Sequence, residues 1–166
     1  MKVTRIKARQ SLRAAYTACM VETAHFPLAP TEIDRIARKL QGHGIQPTAQ
    51  RIDIAAVFFA GDMHLSADQV IARVGRTGRP VSKATVYNTL GLLAERGLLT
   101  QVIVDSGKVF YDSNTKPHFH FYNVDDGELT DVEARHPLLE SLPAPPPGTY
   151  AEGLDVIIRI RNRPSE

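Results

Sequence analysis

Two histidines one residue apart are the side chains in this chain best placed to do chemistry. In the run Pro117-His118-Phe119-His120-Phe121, imidazoles alternate with phenylalanines. Side chains on a β-strand point alternately to its two faces, so both histidines would share one face while the phenylalanines enter a core. A strand that presents two imidazoles in this way predicts a metal site.

Two aspartates bracket the histidine strand and could complete the same site. Asp112 precedes the histidines, and Asp131 follows the turn-forming run Asp125-Asp126-Gly127. If the first or the second pair of that run forms a two-residue hairpin turn, Asp131 faces either His120 or Tyr122. Both registers place Asp131 on the face of the histidines, because a shift of two residues preserves the side of the strand.

Charge is distributed unevenly along the 166 residues, although the formal net charge is only +2. Residues 69–94 contain four basic residues and no acid, whereas residues 121–140 contain six acids against Arg135. A basic segment favours contact with phosphate, and an acidic segment favours cations. A chain of this length forms one domain or two small ones, and the asymmetry favours two lobes.

The cysteine content and the hydropathy of the sequence indicate the cellular compartment. The single cysteine, Cys19, excludes a disulfide within one chain and a structural zinc site of four cysteines, and it fits the reducing cytoplasm. No apolar run approaches the roughly 18 residues of a membrane helix, so we expect no membrane association. Residues 1–30 predict a basic N-terminal extension, with five basic residues before position 14: Lys2, Arg5, Lys7, Arg9 and Arg13.

Helix caps and strand patterns outline a winged helix over residues 31–113. Apolar residues at helical spacing follow four candidate caps: Thr31, Thr48, Ser66 and Ser82. Residues 100–104 and 108–112 then alternate as the strands of a hairpin around Asp105-Ser106-Gly107. Helices followed by such a hairpin are typical of winged-helix DNA-binding domains.

The helix that starts at Ser82 is the candidate recognition helix. Its exposed face begins with Ala84, Thr85 and Asn88, small and polar residues that a major groove can admit. Lys83 and Tyr87 flank that face towards the phosphates. The loop before the helix carries Arg76 and Arg79, for which we expect backbone contacts.

Residues 114–166 predict a small second lobe. Strands are expected at 117–124, 128–133 and 154–161, with a short helix near 136–141 and a proline-rich connector at 142–148. The last strand is too apolar for an unpaired edge, which predicts a homodimer or a higher oligomer. The expected fold class is therefore α+β, an N-terminal winged-helix DNA-binding domain followed by a small α/β dimerisation domain.

Four motifs occur here in the order in which the ferric uptake regulator superfamily has them, so the chain resembles that family over about residues 31–160. The motifs are Pro-Thr-Ala-Gln-Arg at 47–51, His-Leu-Ser-Ala-Asp at 64–68, Ala-Thr-Val-Tyr at 84–87, and the His118/His120 strand. Members are dimeric, metal-responsive transcription factors that bind operator DNA. The resemblance also implies a phosphate contact for Arg51.

Carried over residue by residue, the resemblance places one regulatory metal on three histidines and two aspartates: His64, Asp112, His118, His120 and Asp131. This donor set suits Fe(II), Mn(II) or Zn(II). His64 belongs to the DNA-binding lobe, so the metal would tie the two lobes together.

The chain departs from the family pattern where many members carry a Cys-x-x-Cys zinc site. Those positions hold Asn123 and Asp126, and the positions of a further accessory site hold Pro117 and Phe119. These departures most resemble the iron response regulator branch, which implies control of iron homeostasis genes and haem at His118 and His120. A peroxide-sensing Fe- or Mn-dependent repressor uses the same ligand set. From a different class, a metal-dependent hydrolase or oxygenase also fits two histidines and a carboxylate. The sequence offers no spare acid or base near the ligands beyond Tyr111 and Tyr122, so we expect a regulator and not an enzyme.

Overall fold

A computed structural model describes residues 27–132, 143–151 and 154–163. Most of the predicted N-terminal extension and the predicted short helix at 136–141 lie outside these residues. Among the described residues, no helix combines the length and apolar character needed to cross a bilayer.

From residue 27 onward, the described N-terminal part contains four α-helices: α1 (Pro30–Gly42), α2 (Ala49–Phe59), α3 (Ala67–Val74) and α4 (Lys83–Glu95). The predicted caps of the last three are confirmed. Thr48 and Ser82 accept hydrogen bonds from the N–H groups of Arg51 and Thr85, and Ser66 forms a capping box with Gln69. The predicted cap Thr31 is wrong. Helix α1 starts one residue earlier at Pro30, whose fixed φ suits a first helical position and needs no side-chain cap.

The helices enclose the larger of two hydrophobic clusters. Its fully buried members come from all four helices and include Ile36, Leu40, Ile54, Val57, Phe58, Val70, Val74, Val86, Leu90 and Leu93. Packing of α2 against α1, α3 and α4 fixes the position of the candidate recognition helix α4.

The first sheet has the strand order β1-β3-β2, made of β1 (His64–Ser66), β2 (Thr100–Asp105) and β3 (Lys108–Asp112). The hairpin of β2 and β3 was predicted and forms the wing. Strand β1 was not predicted, and its antiparallel pairing places His64 opposite Asp112.

The second sheet has the order β5-β4-β6, made of β4 (Phe119–Asn123), β5 (Glu128–Val132) and β6 (Ile157–Ile160). Strands β4 and β5 pair antiparallel with His120 opposite Asp131, which is the first of the two predicted registers. Strand β6 runs parallel to β4 and forms the edge of the sheet.

The wing packs against the second sheet through the smaller hydrophobic cluster. That cluster joins residues of both sheets: Val102, Val104, Phe110, Tyr122 and Leu129. Lys108 donates a 2.8 Å hydrogen bond from Nζ to the hydroxyl of Tyr122, and Arg159 donates to the carbonyl of Val104. A Cβ at Gly127, where φ is +68°, would come within 2.9 Å of the Lys108 Nζ. The positive φ is the reason why this position in the β4–β5 turn favours glycine.

Candidate metal centre

Strand pairing in both sheets brings the predicted ligands to one place. His64 and Asp112 face each other on β1 and β3 of the first sheet. His120 and Asp131 face each other on β4 and β5 of the second, and His118 directly precedes β4. The site therefore lies between the two sheets and takes side chains from both.

One donor atom from each residue converges on a common point. The Nε2 atoms of the three histidines lie 2.5 to 3.9 Å from Asp112 Oδ2 and Asp131 Oδ1. All five donor atoms lie within 4.8 Å of one another. Ligands held about 2.0–2.2 Å from one ion must be within about 4.4 Å of each other, so this spacing is close to that of a single coordination sphere.

The same five atoms are buried without a hydrogen-bond partner among the described residues. They are His64 Nε2, Asp112 Oδ2, His118 Nε2, His120 Nε2 and Asp131 Oδ1. Their contacts are close, yet the atoms lack the alignment of hydrogen bonds because each points to the shared centre. Buried polar atoms without partners are costly, and coordination of a cation removes that cost for all five.

Asn114 holds the outward oxygens of both carboxylates. Its backbone N–H donates to Asp112 Oδ1 at 2.8 Å, and its side-chain amide donates to Asp131 Oδ2 at 3.0 Å. The other oxygen of each aspartate is left to face the centre. His118 Nδ1 lies 2.6 Å from the Lys116 carbonyl, so its N–H donates there and the lone pair sits on Nε2.

The pKa values of two ligands are shifted by their surroundings. Burial alone would raise the pKa of Asp112, but polar contacts with His120 and His64 and the N–H of Asn114 outweigh it and hold that pKa well below its usual range. Burial tends to lower the pKa of His64, but the Asp112 and Asp131 carboxylates outweigh it and raise that pKa. Asp112 therefore presents an ionised carboxylate to a cation.

The residues predicted to contact DNA lie on and before α4, with one on α2. Lys83, Tyr87 and Asn88 are exposed on the first two turns of α4, and Arg76 is exposed in the preceding loop. Thr85 is only partly exposed, and its hydroxyl lies 2.9 Å from that of the cap Ser82.

Two of the predicted arginines have partners within the protein. Arg51 on α2 donates from its guanidinium to the Gln46 carbonyl at 3.0 Å. Arg79 forms an ion pair with Asp53.

Asp53 and Asn114 are the residues that sequence reasoning missed. An acid within the apolar stretch Ile52 to Phe58 was the available signal for Asp53, and an asparagine two residues after a ligand was the signal for Asn114.

The positions that correspond to the family's Cys-x-x-Cys motif form a polar cluster. The Asn123 amide donates to Asp126 Oδ2 at 2.9 Å and to Asn162 Oδ1 at 3.0 Å. The Asn162 amide donates in turn to Asp126 Oδ1 at 2.9 Å. Hydrogen bonds thus join the β4–β5 turn to the end of β6, and the chain has one cysteine, which excludes a four-cysteine zinc site.

Comparison with known proteins agrees with this fold. A model of the ferric uptake regulator family matches residues 42–141. The peroxide-responsive repressor PerR of Staphylococcus aureus is 24% identical over 102 residues, which cover 61% of this chain and 69% of that protein.

Solved structures share the fold at low sequence identity. The ferric uptake regulator of Francisella tularensis with iron superimposes with a TM-score of 0.62 at 22% identity, covering 72% of this chain and 93% of that chain. The ferric uptake regulator of Pseudomonas aeruginosa with manganese gives a TM-score of 0.60 at 22% identity, covering 78% and 98%.

A winged helix, a β-rich second lobe and a histidine–carboxylate cluster between them define a metal-responsive DNA-binding regulator. Because the family model spans more than half of the sequence, the chain belongs to the ferric uptake regulator family. It is a transcriptional regulator and not an enzyme, so the hydrolase or oxygenase alternative is not retained. Regulators of this family bind operator DNA, typically as dimers. The comparisons do not single out the iron response regulator branch.

Proposed function

We propose that this chain is a dimeric regulator whose DNA binding is set by one divalent cation held by His64, Asp112, His118, His120 and Asp131. The observation that carries the proposal is the convergence of five buried donor atoms without hydrogen-bond partners. Three imidazoles with two carboxylates suit Fe(II), Mn(II) or Zn(II) better than softer ions. We propose iron as one of these three metals.

The coupling between metal binding and DNA binding follows from the positions of the ligands in the two sheets. His64 and Asp112 lie on the sheet that carries the wing, and the other three lie in or beside the second sheet. Within the described residues, no hydrogen bond joins these five donor atoms to one another. A bound cation fixes their separation, and therefore favours one arrangement of the winged helix relative to the second lobe.

The DNA-binding surface in this proposal is the start of α4 with its preceding loop. Lys83, Tyr87 and Asn88 are exposed side by side, which supports entry of this turn into a major groove. Arg76 and Arg51 are proposed to contact phosphates beside it. Thr85, whose hydroxyl contacts the helix cap Ser82, and Arg79, which pairs with the buried Asp53, are proposed to shape the surface more than to touch DNA.

The proposed dimer forms through β6. Ile158 and Ile160 on this strand are 42% and 39% exposed, and within the described residues β6 pairs with β4 alone. A second copy that pairs along this edge would cover both isoleucines and the unpaired backbone groups.

Haem at His118 and His120 is the weaker candidate ligand. Iron in a haem plane keeps only two axial positions for protein side chains. Here five side-chain atoms crowd within 4.8 Å of one another, which leaves no room for a macrocycle between them. The geometry favours a bare ion.

A peroxide response is the second candidate function. The match to a peroxide-responsive repressor favours it, and His118 and His120 would be the oxidisable side chains of an iron-loaded site. Mass spectrometry after treatment of the Fe(II)-loaded protein with hydrogen peroxide tests it. The candidate predicts one added oxygen atom on a ligand histidine, absent from the Zn(II)-loaded protein. Unmodified histidines would exclude it.

The test of the proposed site is metal content measured by elemental analysis, with a visible absorption spectrum. We expect one equivalent of metal in the wild type and its loss in His118→Ala and in His120→Ala. His43→Ala is the matched control, because this exposed histidine lies outside the donor cluster and its ring hydrogen-bonds to the Arg96 carbonyl. Metal retained at full stoichiometry in both ligand variants would contradict the proposed site, and a haem band lost in them would restore the haem prediction.

A further inference from the structure

Asp53 is a buried carboxylate in the DNA-binding lobe, outside the metal centre. It lies on α2 within an unbroken run of buried residues and is only 6% exposed. Its Oδ2 has no hydrogen-bond partner within the described residues, and burial raises its pKa while Arg79 lowers it. An acid kept in such a place is costly unless it is paired.

Asp53 faces the loop that leads into the candidate recognition helix. Its Oδ2 lies 3.5 Å from Nε of Arg79, the one cation within ion-pair distance of it in the described part of the chain. One turn earlier on the same helix, the amide of Gln50 donates to the Pro80 carbonyl at 3.3 Å. Two residues of α2 on one face therefore hold two consecutive residues of the loop.

The segment before α4 contains a short 3-10 helix (Gly75–Thr77) that ends at Gly78. Gly78 adopts φ +75°, which favours glycine, and the N–H of Arg79 donates to the Thr77 hydroxyl at 3.2 Å. Ser82, the cap of α4, follows three residues later. The contacts that hold Arg79 and Pro80 therefore also hold the segment that leads into α4.

We infer that Asp53 is a positioning residue for DNA recognition, which acts through Arg79 to hold the loop before α4 and thereby the first turn of that helix. The inference rests on the proposed DNA surface. It changes the role expected for Arg79 from a phosphate contact to the partner of a buried acid. Arg79 remains more than half exposed, so its other face still adds positive charge to the surface.

The two roles of Arg79 predict opposite signs for one substitution. If Arg79 serves as a phosphate contact, Asp53→Asn removes a competing negative charge and DNA binding strengthens. If Asp53 positions the loop, the same variant weakens binding although it makes the lobe more positive. Glu95→Gln is the matched control, because it removes one negative charge at the exposed far end of α4.

The experiment uses the full-length protein with Mn(II) and a duplex that the wild type selects from a random-sequence pool. Binding is measured by fluorescence anisotropy against salt concentration, with thermal unfolding of each variant recorded in parallel. We expect Asp53→Asn to lose roughly two- to fivefold in affinity, as for the loss of a partly exposed ion pair. Its thermal midpoint should not fall, because an amide replaces a buried charge. Arg79→Gln should cost less affinity when it is added to Asp53→Asn than when it is made in the wild type.

Binding by Asp53→Asn that equals or exceeds that of Glu95→Gln would overturn the inference. Arg79→Lys provides a second test that does not depend on how Asp53→Asn folds. Lysine keeps the charge and contacts phosphate well, so an unchanged affinity would also overturn the positioning role, whereas a severalfold loss is expected. A wild type that selects no duplex would instead overturn the proposed DNA binding, and the role of Asp53 with it.

Discussion

Asn114 donates a hydrogen bond from its side-chain amide to Oδ2 of Asp131, 3.0 Å away, and so links the end of the wing to the second strand of the other sheet. Its backbone N–H holds Asp112 at the same time. One residue that binds no metal thus orients both carboxylates of the centre, and each keeps a single oxygen for the cation. Outer contacts of this kind set the geometry of metal ligands.

Asn114→Ala should weaken metal binding without removing the site. The two carboxylates would lose their common anchor and rotate, so we expect about 10- to 100-fold lower affinity for Mn(II). Isothermal titration calorimetry measures this. Thr115→Ala, an exposed neighbour, is the control and should bind as the wild type does. Equal affinities for the two variants would show that Asn114 does not orient the ligands.

Metal affinity should rise with pH across neutrality. The pKa of His64 is raised in the metal-free protein, so this imidazole keeps its proton to a higher pH than usual. A cation needs the neutral imidazole, and metal binding must therefore displace the proton. Titrations with Mn(II) from about pH 6 to about pH 8.5 should show increasing affinity and proton release that diminishes at the upper end. A flat profile would be inconsistent with His64 as a ligand.

Contact between the wing and the second sheet should contribute measurable stability. Tyr122→Phe removes the acceptor of the 2.8 Å hydrogen bond from Lys108, which costs about 0.5–1.5 kcal/mol of unfolding free energy. Urea unfolding in the presence of a chelator measures it independently of metal. Tyr150→Phe, at an 83% exposed position, should change little. If both variants unfold alike, Lys108 does not hold the wing through Tyr122.

Lys83 and Asn88 should differ in how their loss affects DNA binding. Lys83→Gln should reduce the slope of log affinity against log salt by about 0.9, the value for one phosphate contact. Asn88→Ala should leave the slope unchanged and lower discrimination between operator bases by about 1–3 kcal/mol. Competition experiments with mutated duplexes separate the two effects. A reduced slope for Asn88→Ala, together with an unchanged slope for Lys83→Gln, would contradict this placement of α4 on DNA.

Local signals in the sequence were sufficient to predict three of the helix caps. Thr48, Ser66 and Ser82 cap helices as predicted, because capping depends on residues that are close in sequence. The pairing of His120 with Asp131 was one of two predicted registers, and their shared face was common to both.

Long-range relationships were the part that the sequence did not reveal. Strand β1 is only three residues long, which is too short for an alternating pattern, and it exists through pairing with β3. Its pairing explains how His64 reaches the centre, which resemblance alone had suggested. The partner of Asp53 lies in a loop after the next helix, so no spacing rule connects the two residues.

The effect of a cation that joins the two lobes on DNA binding can be measured with His64→Ala. Anisotropy of the selected duplex is measured for this variant, the wild type and His43→Ala, each with Mn(II) and with a chelator. For the wild type and His43→Ala we expect metal to change affinity by about 5- to 150-fold. In His64→Ala that change should largely disappear while the protein stays folded. A metal-dependent change as large as that of the wild type would contradict the account.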